Sequence, residues 1–155
     1  MTAATLAKSA WKVIPMFDSR SISDTVDFYI KTLGFELGSV KSKNQDTDDL
    51  ASVTEEEKRQ WFFCSVFIGE KADANFYFSK VAANEFKASQ AMIALGTSEL
   101  DEYYKYIKNL GSGVVEIAED IEDTPWGFRQ FTVKDNDGNQ LTFFKFLEGG
   151  NPGEE

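Results

Sequence analysis

The sequence predicts an α+β fold in which two βαβββ modules form curved mixed sheets around a cleft. Two observations carry this. The first is an internal repeat: "DFYIKTLGF" (27–35) and "YKYIKNLGS" (104–112) share I-K-x-L-G at a displacement of 77 residues, and self-similarity of this kind marks a duplicated structural unit. The second is what surrounds each copy. A short apolar run precedes each, and a weaker strand and a hairpin signal follow.

The elements follow in chain order. "WKVIPMFDS" reads as the opening strand of the first module. Ile22, Val26, Tyr29, Ile30 and Leu33 then recur at helical spacing after a cap at Ser21 or Ser23, the pattern of a helix with one buried face. Gly34 supplies the left-handed residue that stops it. "QWFFCSVFIGEKADANFYFSK" is a hairpin turning through residues 69–73. Residues 43–60 form a polar insert, read as a solvated loop with a short helix or as a lid. "VAANEFKASQ" links the halves.

In the second module "AMIALGTS" is the opening strand. Leu100, Tyr103, Tyr104, Ile107 and Leu110 repeat at helical spacing after Ser98, and Gly111 ends the helix. "FRQFTVKDNDGNQLTFFKFL" is a hairpin turning at residues 135–138, where Asp-Gly is a strong turn signal. The modules span residues 11–80 and 91–147 of a single domain covering 1–155, with 148–155 expected to be a flexible tail. Neither half buries its sheet alone, so the two are expected to join and leave a concave face.

Composition narrows the function. With 26 acids against 16 bases the net charge is −10, which argues against nucleic acid, whose binding needs a basic surface, and against anionic membranes. A negative field does suit a cationic ligand. The one cysteine, Cys64, allows no intrachain disulfide, and its apolar setting in a chain without histidine argues against a nucleophile. The N-terminus has no continuous apolar stretch of the signal-peptide kind and no window spans a bilayer, so the expected location is cytoplasmic. Fourteen phenylalanines are unusually many; most are expected in the core and some to line a pocket. No paired carboxylates stand out as acid and base. The acidic run "EIAEDIED" (116–123) reads as a solvated loop or as a negative rim to the cleft.

The doubled βαβββ plan resembles the vicinal oxygen chelate superfamily of glyoxalases, dioxygenases and bleomycin-resistance proteins. "DFYIKTLGFE" looks like that family's first helix, and "PWGFRQFTVKDNDGNQLTFF" (125–144) is similar to the P-W-G-x-R-E-F…D-P-D-G-N motif of the bleomycin-resistance branch. Gln130 replaces the usual Glu and Asn136 the usual Pro. In metal-dependent relatives the ligand positions match Ile14, Tyr77, Met92 and Thr142 here. These offer neither imidazole nor carboxylate, so the resemblance implies no metal, no other cofactor and no catalytic residues of the glyoxalase kind.

The function it implies is sequestration of a cationic or planar aromatic small molecule. The expected binding residues are Trp126 as the stacking platform, Gly127 for close backbone approach, Phe128 and Phe35 as apolar walls, Trp61 and Phe63 from the first hairpin, and Tyr77 and Thr142 as hydrogen-bonding groups. A homodimer with an exchanged N-terminal strand is implied as well. Two alternatives stay open: a metal-independent enzyme or carrier of an unrelated metabolite, and a protein-interaction module with an exposed apolar face.

Overall fold

A computed structural model describes residues 1–43, 46–47, 52–96 and 99–147. It contains α1 (Ala3–Ala7), β1 (Met16–Ser19), α2 (Ile22–Asp27), β2 (Glu36–Ser42), β3 (Asp46–Thr47), α3 (Glu55–Lys58), β4 (Trp61–Ile68) and β5 (Ala74–Lys80). A single 3-10 turn in the linker precedes β6 (Gln90–Ala94), α4 (Glu99–Leu110), β7 (Glu116–Asp123), β8 (Phe128–Lys134) and β9 (Gln140–Phe146).

The duplication read from I-K-x-L-G reappears as topology. One sheet runs β1-β5-β4-β2-β3 and the other β6-β9-β8-β7. In each, the opening strand lies parallel to the last strand, Met16 opposite Tyr77 and Met92 opposite Thr142, while the remaining main pairs are antiparallel. The two-residue β3 is an edge addition to the first sheet only. The sheets stay open and close no barrel.

One helix covers one face of each sheet. In α4 the residues Leu100, Tyr104 and Ile107 are buried, Tyr104 packing edge-on to Phe131 at 5.1 Å. Each such side chain contributes roughly 1.5–3 kcal/mol on leaving water. In the first module the Ser21 hydroxyl accepts from the Asp24 N–H and caps α2, but the helix does not continue regularly to Leu33. It widens into one π turn, Phe28–Thr32, which holds the fully buried Tyr29. Gly34 (φ +81°) and Gly111 (φ +93°) end the two helices in the left-handed region, as the repeat implies.

Two further departures lie at the start of the chain. The first strand starts at Met16, after Pro15, which has no N–H to donate; the Pro15 carbonyl still accepts from Tyr77 N–H at 3.0 Å. A short helix, α1, capped by Thr2, precedes it. Within 43–60, α3 begins with a reciprocal capping box between Thr54 and Glu57. Residues 44–45 and 48–51 of the expected lid lie outside the described residues, as do the Ser98 cap and the 148–155 tail.

A turn of the second module bonds across to the first. The Asp135 carboxylate accepts from the N–H groups of Asp137, Gly138 and Asn139 through one oxygen, and from Asn139 Nδ2 and the Tyr29 hydroxyl through the other. Neighbouring Asn139 donates to the Asp18 carbonyl, Asn136 donates to Thr25, and Arg20 donates to both the carboxylate and the carbonyl of Asp137. The asparagine that replaces the motif's proline therefore makes a bond across the modules. On the helix side, the hydroxyls of Tyr103 and Tyr106 donate to the Leu33 and Thr32 carbonyls where the π turn ends.

Among the described residues no helix is long and apolar enough to cross a membrane. Cys64 lies on the helix-covered side of β4 and is fully buried, and burial pushes its thiol up to about 12. We expect it to resist a thiol reagent such as DTNB at pH 8 in the native protein and to react at once in denaturant. Stoichiometric labelling of the native protein would contradict its placement.

Candidate functional site

The face of the second sheet turned away from α4 is the candidate site. Strand alternation builds it. Phe131, Val133, Leu141 and Phe143 point under α4 and are all fully buried, so the residues between them point the other way. Phe128, Phe144 and Phe146 form a cluster on that side. Phe128 stacks on Phe144 at 4.9 Å and 29°, and meets Phe146 edge-on at 5.0 Å. Beside them the hydroxyls of Thr132 and Thr142 share a hydrogen bond of 2.7 Å.

A hollow of about 350 Å³ lies here, lined among others by Met92, Glu119, Trp126, Phe128, Gln130 and Thr142. That volume is within the range of small-ligand sites, about 300–1,000 Å³. Trp126 stands at its edge, 64% exposed, on the turn before β8. The Thr124 backbone and hydroxyl exchange bonds with Phe128, and the Gly127 N–H donates to the Thr124 carbonyl. Gly127 takes φ +91°. Space around it is open, so its role here is conformation, with no close approach that excludes a side chain.

The expected binding residues fall into three groups. Trp126 and Phe128 line this hollow with Thr142, and Gly127 shapes its rim. Phe63 and Tyr77 meet edge-on at 5.1 Å on the corresponding uncovered face of the first sheet. Phe35 and Trp61 lie in the core, 2% and 3% exposed. Gly34 turns the chain so that Phe35 packs on Tyr29 and Phe76.

Trp61 is displaced by a bulge. Lys41 pairs with Phe63 and Ser42 with Trp61, leaving Phe62 as the extra residue. The bulge reverses the alternation, so Trp61 faces α2 while Phe63 faces away. There it lines a separate hollow of about 220 Å³ with Val26, Ile30 and Leu37.

The four positions that match metal ligands form two pairs. Met92 lies opposite Thr142 on one sheet. Tyr77 lies on the other, opposite Met16, with Ile14 half-buried ahead of β1. The hollow at Met92 and Thr142 has no lining residue from the first sheet. The donors offered are two hydroxyls and a thioether, beside an aliphatic chain. Among the described residues no group of three His, Cys, Asp or Glu side chains is placed to hold a metal ion.

Several residues of this face escape the sequence reading. Gln130, which lines the hollow, and Phe144 and Phe146, which pack on Phe128, are given by alternation once the strand register is known. Glu119 belongs to the acidic run suspected as a rim, and it is the one member of that run that lines the hollow. Arg129 points to the helix side instead, donating to Asp101 and Asp123 at 2.8 Å each. Its guanidinium holds the Asp101 carboxyl below the usual range.

Comparison with known proteins places this arrangement. Bleomycin resistance proteins of Geobacillus stearothermophilus and Staphylococcus aureus are 27% identical over 135 residues, 87% of this chain and 96% of theirs. Among solved structures, a glyoxalase-related enzyme from Clostridium phytofermentans superposes with a TM-score of 0.63 at 20% identity, covering 87% of this chain and 94% of that one. The bleomycin-binding protein of Streptomyces verticillus, solved with copper(II)-bleomycin, gives 0.60 at 18% identity over 87% and 95%. At these identities the structures speak for the fold alone. The family profile matches residues 19–143 and so takes in both modules, and the chain belongs to the glyoxalase/bleomycin resistance protein/dioxygenase superfamily.

Proposed function

We propose that this protein binds a planar or cationic small molecule and sequesters it in the cytoplasm without metal and without turnover, in the manner implied by the bleomycin-resistance branch. One observation carries the reading: the uncovered face of the second sheet gathers a stacked phenylalanine cluster, an exposed tryptophan and a carboxylate about one hollow. Aromatic faces stack on heterocycles, and a carboxylate meets a cationic arm. The names of the curated relatives support it. In this reading Trp126 stacks on the ligand, Phe128 is a wall and Thr142 offers its hydroxyl. Phe35 and Trp61 act only by supporting the first sheet.

Titration with bleomycin and a panel of cationic planar aromatics tests it. Trp126 emission should be quenched to a saturating endpoint at one ligand per site, with the ligand recovered unchanged. A released product would favour a metal-independent enzyme of the same superfamily, and failure of every compound to bind would remove the reading.

A half-open hollow needs a second wall. We propose that a homodimer supplies it, with Phe63 and Tyr77 of the second copy facing Trp126, and with the N-terminal strand exchanged. Trp11 and Val13 are 86% and 90% exposed in the single chain, which leaves them available to a partner. Sedimentation at micromolar concentration is expected to give twice the 17.4 kDa chain mass. Trp11→Ala should shift that balance towards monomer. A monomer at every concentration would end the proposal.

A further inference from the structure

Among the described residues two buried side-chain polar atoms lack a hydrogen-bond partner: Asn75 Oδ1 and Gln130 Oε1. Native chains leave few such atoms, and each one asks for an explanation. Here the two have matching surroundings. Gln130 lines the hollow already described, together with Glu119. Asn75 lines a neighbouring hollow of about 360 Å³, together with Asp73, Val13 and Pro15. The two hollows share Ala91 and Met92, on the edge strand β6. Each therefore has an orphaned acceptor, a carboxylate and apolar walls, and Met92, 53% exposed, is common to both.

We propose that the ligand of this site is elongated and carries an N–H-bearing cationic group at two points. One group meets Gln130 and Glu119, the other meets Asn75 and Asp73, and an apolar middle crosses Met92. This rests on the small-molecule reading above and deepens it. An acceptor hidden from water without a partner is a cost in the empty protein that a ligand donor removes. The terminal torsions of Asn and Gln are broad and nearly two-fold, so rotation about them can turn either oxygen towards an entering donor. The carboxylates make a cation the preferred donor, because hydrogen bonds with a charged partner are the stronger ones. At Gln130, where the family motif usually has Glu, the amide keeps an acceptor without burying a charge beside Glu119.

The experiment compares two probes by calorimetry: an aromatic mono-amidine and a linear aromatic diamidine. Each is titrated into the wild type, Asn75→Leu and Gln130→Leu. The diamidine should bind at least about tenfold more tightly to the wild type, one charged hydrogen bond's worth. Asn75→Leu should abolish that advantage and leave mono-amidine binding within about twofold. Gln130→Leu should weaken both probes.

Because each leucine removes an orphaned acceptor, neither variant should unfold; the ligand-free melting temperature should rise by about 2–4 °C in each. Equal affinities of the two probes for the wild type, or a ratio unchanged by Asn75→Leu, would overturn the two-point site while leaving the small-molecule reading standing. If neither probe nor any other small molecule binds the wild type, both fall together.

Discussion

Trp126→Ala is expected to weaken ligand binding about 5- to 150-fold while leaving the fold intact. The magnitude is that of stacking a planar ring on an aromatic side chain, roughly 1–3 kcal/mol by alanine substitution. The separation of binding from stability follows from where the side chain sits. Trp126 is 64% exposed, and the turn that carries it is held by bonds among Thr124, Gly127 and Phe128 that do not involve the indole. Its removal therefore takes almost nothing from the core.

Phe128→Ala would not separate the two effects. That ring stacks on Phe144 and touches Phe146, so its loss disturbs the sheet face as well as the ligand. Binding is read by calorimetry, since the variant loses its reporter, and stability by thermal melting. Unchanged affinity for a ligand that the wild type binds would move the site away from this turn. A large drop in melting temperature would show that the indole belongs to the packing.

The repeat and the hairpin signals made the modules legible in the sequence, for identifiable reasons. Helical spacing from Leu100 to Leu110 and the left-handed stops at Gly34 and Gly111 are local properties, fixed by residues close in the chain. The candidate site was legible only where alternation ran undisturbed. Phe128, Gln130 and Thr132 on β8 and Thr142, Phe144 and Phe146 on β9 alternate cleanly, so the β8–β9 register places the rest beside Phe128 and Thr142.

The run W-F-F-C at the start of β4 gave no such guidance, because every residue in it is apolar or small. The one-residue bulge at Phe62 is invisible there, and it sends Trp61 into the core and Phe63 to the open face. Phe35 failed for another reason. Its place is decided by contacts with Tyr29 and Phe76, the latter more than forty residues away, which no local pattern encodes. Orphaned acceptors are likewise beyond sequence, since only the assembled chain shows which groups lack partners.

The largest loss of stability is expected from Asp135→Ala, about 3–5 kcal/mol, which for a chain of this size lowers melting by on the order of 10 °C. The D-N-D-G-N turn reads as a hairpin signal, but its first residue does more than start a turn. Five donors converge on one carboxylate that is 8% exposed: three backbone N–H groups, an asparagine amide and the Tyr29 hydroxyl from the other module. Alanine takes the acceptor from the Asp137 and Asn139 N–H groups and from the Tyr29 hydroxyl, and the turn they shape is what bonds to Asp18, Arg20 and Thr25.

Tyr29→Phe separates the two halves of this effect. It removes only the cross-module donor and should cost about 1 kcal/mol, because Asn139 still satisfies the same oxygen. The pH dependence has a definite sign. Burial outweighs the five donors and raises the Asp135 carboxyl above its usual range. The folded chain thus holds this proton more tightly than the unfolded chain does. The stability gap between wild type and Asp135→Ala should then be widest below the unfolded carboxyl's value and narrow as pH rises through the folded one. Melting curves of both proteins at several pH values from 3 to 7 measure it. A gap that widens towards neutrality would mean that the donors, and not burial, decide the charge at the joint between the modules.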